Sequence, residues 1–304
     1  MDKNLDAFLA VARSKTLTEA SEMIGLTQPS VTKRIANLEH SMGAALFERH
    51  RRGMTLTAAG QVFFERAKRI EAEYRASVEE VETIGSAGMS VLRVGAGPVF
   101  HLNCVAGLFK HLKTKFPDLR LELSTDVKLP TSELLNEGII DVYMGVITPD
   151  HLDDTIHVKY ITQVEHGIVL RADDPHATES KIDPATLHDY NWVIFAIDPE
   201  TERSIQEYSV PGGLDLPIID VRTTSFSTGL QLVQRGNFVM SAPLQLASVI
   251  EAAGLTIRPF AQGVPKREAG IHVRKSALGY GVIEALLEFF DGFNFGYHAR
   301  DNHQ

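Results

Sequence analysis

Between Thr27 and Arg34 the chain reads TQPSVTKR, which sets Thr27, Gln28, Pro29, Ser30, Thr32, Lys33 and Arg34 within eight residues. These are the side chains of nucleic-acid recognition. A glutamine amide addresses adenine, hydroxyls bond to bases or phosphates, and lysine or arginine reaches guanine edges or the backbone. A second basic group, Arg49, Arg51 and Arg52, precedes Gly53. At the tip of a hairpin such residues enter a minor groove or grip phosphates. Counted alone, a basic cluster is more often a solvated helix face, so the elements around these residues must decide.

Those elements are legible in the apolar spacing. Leu5, Phe8, Leu9 and Ala12 recur at helical intervals and give a first helix one apolar face. Thr16-Leu17-Thr18-Glu19 reads as a capping box that opens a second helix, with Ala20, Met23 and Ile24 inward and Gly25 as a left-handed stop. Thr27 offers a further N-cap, and Pro29 fits a first turn, where its missing amide has no partner to lose. The third helix runs from about Gln28 to Met42, with apolar positions Val31, Ile35, Leu38 and Met42 recurring at helical spacing. Two short helices around a glycine turn form a helix-turn-helix, whose second helix fits a major groove. The segment HRRGMTLT then reads as a two-stranded wing turning at Gly53.

Charge agrees with this division. Residues 1–69 hold 11 Lys/Arg against 7 Asp/Glu, a net of +4, inside a chain whose formal net charge is −9. A basic excess confined to one small region suits a phosphate-backbone binder. Hydrophobic residues at 44% and charged residues at 23% are ordinary for a soluble globular protein. At 304 residues, two or three domains are expected. No apolar run approaches a membrane span and the start lacks a secretory signal, so a cytoplasmic protein with no membrane partner is expected. The single cysteine, Cys104, excludes an internal disulfide and a cysteine-cluster metal site.

Residues 5–69 resemble the N-terminal domain of LysR-type transcriptional regulators, through LDAFLAVARSKTLTEAS, LTQPSVTKRIANLE, GAALFER and LTAAG in family order. Ala20-Ser21 departs from the family's doubled alanine, and Thr32-Lys33-Arg34 from its usual Ser-Arg-Gln or Ser-Lys-Gln. Both departures bear on which base pairs are preferred and not on DNA binding itself, because each substituted group still donates to DNA. From Ala58 a long seam of Phe63, Ala67, Ile70, Tyr74, Val78, Val81 and Gly85 predicts a helix of about 28 residues, roughly 42 Å. That is too long to lie on so small a domain. The resemblance implies that this helix dimerises through Phe63, Ile70, Tyr74, Val78 and Val81, with Ser86-Ala87-Gly88 as hinge. It further implies a dimer of dimers, an operator in double-stranded DNA, and RNA polymerase as a further partner.

The expected domains are therefore a winged helix-turn-helix over 1–60, a linker helix and hinge over 61–88, and a two-lobed effector domain over 89–304. Strand-like and helical segments alternate from Val91 in two βαβ-rich units, which predicts mainly parallel sheets. Crossovers near Tyr160–Glu165 and Pro265–Glu268 divide lobe I, about 91–162 and 268–304, from lobe II, about 163–267. This part resembles the two-lobed, periplasmic-binding-protein-like effector domain of the same family. In open α/β sheets ligands bind beyond the carboxyl ends of strands. Here those ends carry Pro98, Val99, Phe100, His101, Ser124, Thr125, Lys128, Val146, Phe195, Thr223, Thr224, Ser225 and Phe226. Hydroxyls, a cation and apolar walls converging between lobes fit a small molecule, with a carboxylate as the natural candidate. Each hydroxyl taken singly reads equally as a helix cap.

Enzymatic readings find little support. GAGPVF at 95–100 starts as a dinucleotide fingerprint but has Phe100 where the third glycine belongs. No histidine pair has ligand spacing on one helix and no nucleophile elbow occurs, so neither a catalytic residue, a metal nor a cofactor is expected. Cys104 reads as a small buried residue rather than a redox sensor, having no resolving cysteine. The alternative is a solute-binding protein or enzyme of the same two-lobed fold, which would have no use for residues 1–60.

Overall fold

A computed structural model describes residues 1–14, 16–50, 53–82, 89–127, 130–148, 154–187, 190–195, 203, 219–261, 265–293 and 295. Arg51, Arg52, Lys128 and the hinge at Ser86–Gly88 lie outside them, as does the side chain of Arg49. The chain divides into two compact units, one of Met1–Ile84 with Asn136–Ile139 and the other of Gly85–Leu135 with Ile140–Gln304.

The first unit opens with α1 (Lys3–Arg13), whose N-cap Asp2 accepts from the amides of Asn4 and Leu5 at 2.9 and 3.0 Å. Helix α2 (Leu17–Met23) follows, and the Thr16 hydroxyl accepts from the Glu19 amide as a capping box requires. Gly25 has φ +64°, the left-handed stop that lets α3 (Gln28–Met42) turn away from α2. Thr27 does not cap α3 with its side chain. Its hydroxyl lies 2.9 Å from that of Ser30, a neighbouring group that competes for it.

Phe8 is fully buried and packs against Phe47 and Phe63, with ring centroids 5.3 and 4.9 Å apart. Together with Leu9, Val31 and Ile35 it closes the core of the winged domain. The wing is a two-stranded antiparallel hairpin of β1 (Phe47–His50) and β2 (Gly53–Leu56). Helix α4 (Ala58–Glu82) has 25 residues, about 38 Å. A side chain on Gly60 would meet the Leu46 carbonyl at 1.9 Å, so only glycine lets the first turn of α4 approach the wing this closely. Phe63 and Ala67 belong to the winged-domain core, whereas Ile70, Tyr74, Val78 and Val81 are exposed by 40 to 66%.

The second unit holds two five-stranded sheets. Lobe I is built from β3 (Val91–Ala96), α5 (Pro98–Asn103), α6 (Val105–Lys115), β4 (Arg120–Ser124), α7 (Thr131–Asn136), β5 (Val142–Val146) and β6 (Ile156–Val164). Lobe II continues with β7 (His166–Arg171), β8 (Asn191–Phe195), β9 (Ile219–Thr223), α8 (Phe226–Arg235), β10 (Phe238–Pro243), α9 (Ala247–Ala252) and β11 (Leu255–Pro259). The chain then returns to lobe I as β12 (Arg267–Arg274) and α10 (Gly281–Phe289).

The orders are β4-β3-β5-β12-β6 and β11-β7-β10-β8-β9. Strands β4, β3 and β5 are parallel neighbours, but β12 runs antiparallel to both β5 and β6. Likewise β9, β8 and β10 are parallel, with β7 antiparallel to β10 and β11. The sheets are thus mixed rather than mainly parallel, because each lobe receives a strand that has crossed from the other. The first crossover is shorter than the sequence predicts, since β6 runs through Val164 and β7 begins at His166.

Successive residues of β5 serve opposite faces of its sheet. Val142 and Met144 join Leu92, Val94, Ile271 and the helices α5, α6 and α10. Tyr143 joins Val127, Leu135, Ile140 and Ile156. In lobe II, Phe226, Leu230 and Val233 of α8 pack with Val193, Met240 and Ile257. Spacings of 4 and 3 give that helix its single apolar stripe.

Candidate nucleic-acid interface and effector site

The candidate interface of the winged domain is the opening of α3. Val31, Ile35 and Leu38 are buried, which leaves Thr27, Gln28, Pro29 and Lys33 exposed and Ser30, Thr32 and Arg34 partly so. The helix N-terminus also carries unpaired amides and a partial positive charge, both favourable to phosphate. Two of the polar side chains are already engaged. Gln28 donates its amide Nε2 to the Thr18 hydroxyl at 3.0 Å, tying α3 to α2. Arg34 donates to the Lys3 carbonyl at 3.2 Å, so its guanidinium leans towards the start of α1. Lys33 stands clear on the exposed side.

The wing is held in place by a residue that sequence reasoning did not single out. Glu39, near the end of α3, accepts from the amides of Leu46 and Phe47 at 2.8 and 3.1 Å. A carboxylate that takes the main-chain amides of Leu46, just before β1, and of Phe47, its first residue, fixes the hairpin against α3. At the tip, His50 Nε2 lies 3.0 Å from the Thr55 hydroxyl across the hairpin. On the far side of the domain, Arg13 donates Nη1 to Glu71 at 3.0 Å and thereby pins α1 to α4. That bond lowers the titration range of the Glu71 carboxyl.

In the second unit, the strand ends divide into open groups and groups already used. Ser124, Thr125 and Thr224 are exposed, and Pro98, His101, Val146 and Phe195 are partly buried. Burial lowers the titration range of His101. Ser225 caps α8, its hydroxyl accepting from the Thr228 amide at 3.3 Å, and Thr223 accepts from the Ser225 amide at 3.0 Å. For these two hydroxyls the local turn is the partner found. Phe100, expected as an apolar wall, is 1% exposed and packs against Phe290 and Phe295 with centroids 6.2 and 5.4 Å away. Val99 shares that core, and Phe226 lies in the core of lobe II beside Phe195. Their positions on short helices turn them inward, where burial of aromatic area is worth about 2–3 kcal/mol each.

Cys104 is also inward, with its thiol donating to the Phe100 carbonyl at 2.9 Å. Burial pushes that thiol up to about 12. Among the described residues no group of histidine, cysteine or carboxylate side chains is placed to hold a metal ion. No described helix is long and apolar enough to cross a membrane.

Several polar residues that spacing did not single out gather where the chain crosses between the lobes: Thr148, His166, Gln245 and Arg267. Burial holds the His166 imidazole down at about 4, helped by the nearby Arg267 charge. The Tyr143 hydroxyl, on the neighbouring strand, is pushed up to about 12 by burial. Elsewhere in lobe I the buried Asp141 carboxylate accepts from the Arg93 amide at 2.9 Å and lies 3.6 Å from the Arg274 guanidinium. None of these had a signal in the sequence beyond its residue type, because strand pairing alone brings them together.

Residues 3–61 match the family described as a bacterial regulatory helix-turn-helix protein of the lysR family, and residues 86–293 match the LysR substrate binding domain. The chain is 23% identical over 300 residues to the HTH-type transcriptional regulator PcaQ of Agrobacterium fabrum, covering 95% of this chain and 96% of that protein. It is 24% identical over 250 residues to the HTH-type transcriptional regulator TdcA of Escherichia coli, covering 81% and 78%. Among solved structures, a full-length OxyR variant from Pseudomonas aeruginosa superposes with a TM-score of 0.64 at 19% identity, over 96% of this chain and 95% of that one. Full-length CbnR complexed with its target DNA gives 0.61 at 20% identity, over 95% and 98%. At these identities the likeness speaks for the fold.

Proposed function

The chain belongs to the LysR family of bacterial transcriptional regulators, and from that premise we propose how its own residues bind DNA and answer an effector. It is a DNA-binding regulator whose second domain takes a small molecule. In our reading residues 1–60 bind the operator, 61–88 join two subunits, and 89–304 sense the effector in the cytoplasm. Lys33, Gln28, Ser30 and Thr32 read base edges from α3, while Arg49, Arg51 and Arg52 grip the backbone from the wing. The observation that carries this is the opening turn of α3, which exposes Gln28, Pro29 and Lys33 while Val31, Ile35 and Leu38 are buried behind it.

Two chains pair through the exposed Ile70, Tyr74, Val78 and Val81 of α4, and two such pairs form the tetramer. An apolar row with 40 to 66% exposure on a helix of 25 residues supports this assignment. The effector binds between lobes I and II, where Ser124, Thr125 and Thr224 present open hydroxyls. Binding there alters DNA-bound subunits to the extent that it favours one arrangement over another.

The decisive experiment is fluorescence anisotropy of the full-length protein on operator and random duplexes across a salt series. Affinity for both should fall with salt, in proportion to the phosphates neutralised. A chain that shows no salt-dependent duplex binding would sink the interface assignment. For the effector site, Thr224→Val should keep ligand-free operator binding and weaken the effector-induced change in footprint. Normal effector affinity in Thr224→Val, with only the melting temperature lowered, would return that hydroxyl to a structural role.

A further inference from the structure

The crossover between the lobes carries polar groups that the fold buries without partnering. Ile147 donates to the Glu268 carbonyl at 2.8 Å, which continues the β5–β12 ladder beyond its Val146–Ala269 pair. Carried one residue further, that register would bring Thr148 opposite Arg267, which pairs on its other side with Val164. The Thr148 hydroxyl is buried and meets no hydrogen-bond partner among the described residues.

Gln245 comes to the same crossing from the turn Leu244–Leu246 after β10. It donates Nε2 to the Gln163 carbonyl at 2.6 Å, and Gln163 is the strand partner of Glu268. Asn103 of α5 in turn donates to the Gln245 carbonyl at 3.3 Å. Gln245 is only 7% exposed, and its Oε1 has no partner among the described residues. Because Nε2 is committed to Gln163, the orphan is an acceptor.

An orphaned buried acceptor is destabilising, and so is an orphaned hydroxyl. Two at one crossing leave bonding capacity for a partner from outside the chain. The charge there is positive. Arg267 lies close enough to bear on the titration of both Tyr143 and His166, and burial keeps His166 neutral. The neighbouring Glu165 carboxylate is already paired with Lys266 at 2.8 Å. A guanidinium has five N–H donors, so Arg267 can keep a protein partner and still hold an anion.

Resting on the reading that the effector lies between the lobes, we propose that Arg267 and Thr148 bind the carboxylate of a small hydroxy or amino acid whose own donor satisfies Gln245 Oε1. The effector class is thus a carboxylate that carries a hydroxyl or ammonium group within a few bonds. A plain carboxylate has no donor for Gln245 Oε1, and a neutral amide leaves the Arg267 charge without a counter-ion.

Calorimetric titration of the full-length protein tests this with lactate, malate and salicylate as probes. Each is run beside its deoxy acid (propionate, succinate, benzoate) and its amide. At least one hydroxy acid should bind, with its deoxy acid and amide each tenfold weaker or worse. Thr148→Val, which keeps the side-chain volume, and Arg267→Gln should each weaken that hydroxy acid at least tenfold, and Thr148→Ser should restore it. Gln245→Leu should erase the preference for the hydroxy over the deoxy acid. A hydroxy acid that binds no better than its amide overturns the proposal, as does a set in which none binds. If Thr224→Val weakens the best ligand while Thr148→Val and Arg267→Gln do not, the crossover subsite falls and the interlobe reading stands. If none of the three variants affects it, both fall.

Discussion

Arg34, on the recognition helix, donates its guanidinium to the main-chain carbonyl of Lys3 at 3.2 Å, so one of the cations expected at the base edges is anchored to the helix that supports it. Lys33, its neighbour, is exposed and reaches outward. Lys33→Ala should therefore lose about 1–3 kcal/mol of operator affinity with relaxed base preference. Arg34→Ala should lower thermal stability by about 1 kcal/mol and reduce affinity for operator and random duplex alike. Competition titrations with both duplexes separate the two effects. Equal loss of specificity in both variants would return Arg34 to the groove.

Glu39 links the recognition helix to the wing through two main-chain amides. Glu39→Ala strands both donors and should cost about 2–4 kcal/mol of stability in the winged domain. At temperatures where the variant remains folded, the salt slope of DNA binding should shrink, because a loosened wing contributes fewer phosphate contacts. Unaltered stability and slope would show that the carboxylate is dispensable.

Ile70 and Val78 are 48% and 40% exposed within one chain, so charges there cost the isolated subunit little. In a paired helix seam the same charges cost several kcal/mol. The double variant Ile70→Asp with Val78→Asp should keep its helical circular dichroism and yield smaller species by light scattering. Retention of the native assembly would remove α4 as the pairing surface.

With its thiol pushed up to about 12 and only 1% exposed, Cys104 should resist iodoacetamide at neutral pH in the native protein and react once unfolded. Peroxide should leave DNA affinity unchanged. Rapid labelling of the folded protein would contradict the buried placement.

Burial depresses His272 to about 4 from an ordinary value of 6.5, and neither of its ring nitrogens has a partner among the described residues. Between those two values the unfolded chain takes up a proton that the folded chain refuses. Stability from this group is therefore complete above pH 6.5 and is lost as pH falls towards 4, at about 1.4 kcal/mol per pH unit. His166 acts in the same direction. Denaturant titrations at pH 7 and pH 5 should show a decline that His272→Phe reduces by about one histidine's share. An undiminished decline in that variant would place the acid sensitivity elsewhere.

Local chemistry made the winged domain legible. Asp2, Thr16 and Gly25 act within a few residues of their own positions, and the stripe Val31, Ile35, Leu38 repeats at helical intervals, so caps, stops and helix faces are written into neighbouring letters. The alternation of strands and helices likewise predicted two α/β lobes, since period and length belong to each segment alone. Pairing partners do not. That β12 lies antiparallel between β5 and β6 depends on a segment more than a hundred residues away, and this turned an expected parallel sheet into a mixed one. For the same reason Arg267, Thr148 and Gln245 carry no common signal in the sequence, and strand ends alone misplace Phe100 and Phe226 as cleft walls. The sequence determined which elements form and which face of each is apolar, through short-range sterics and hydrogen bonding. Only the tertiary structure decided which polar groups meet, because long-range strand register alone joins residues so far apart in the chain.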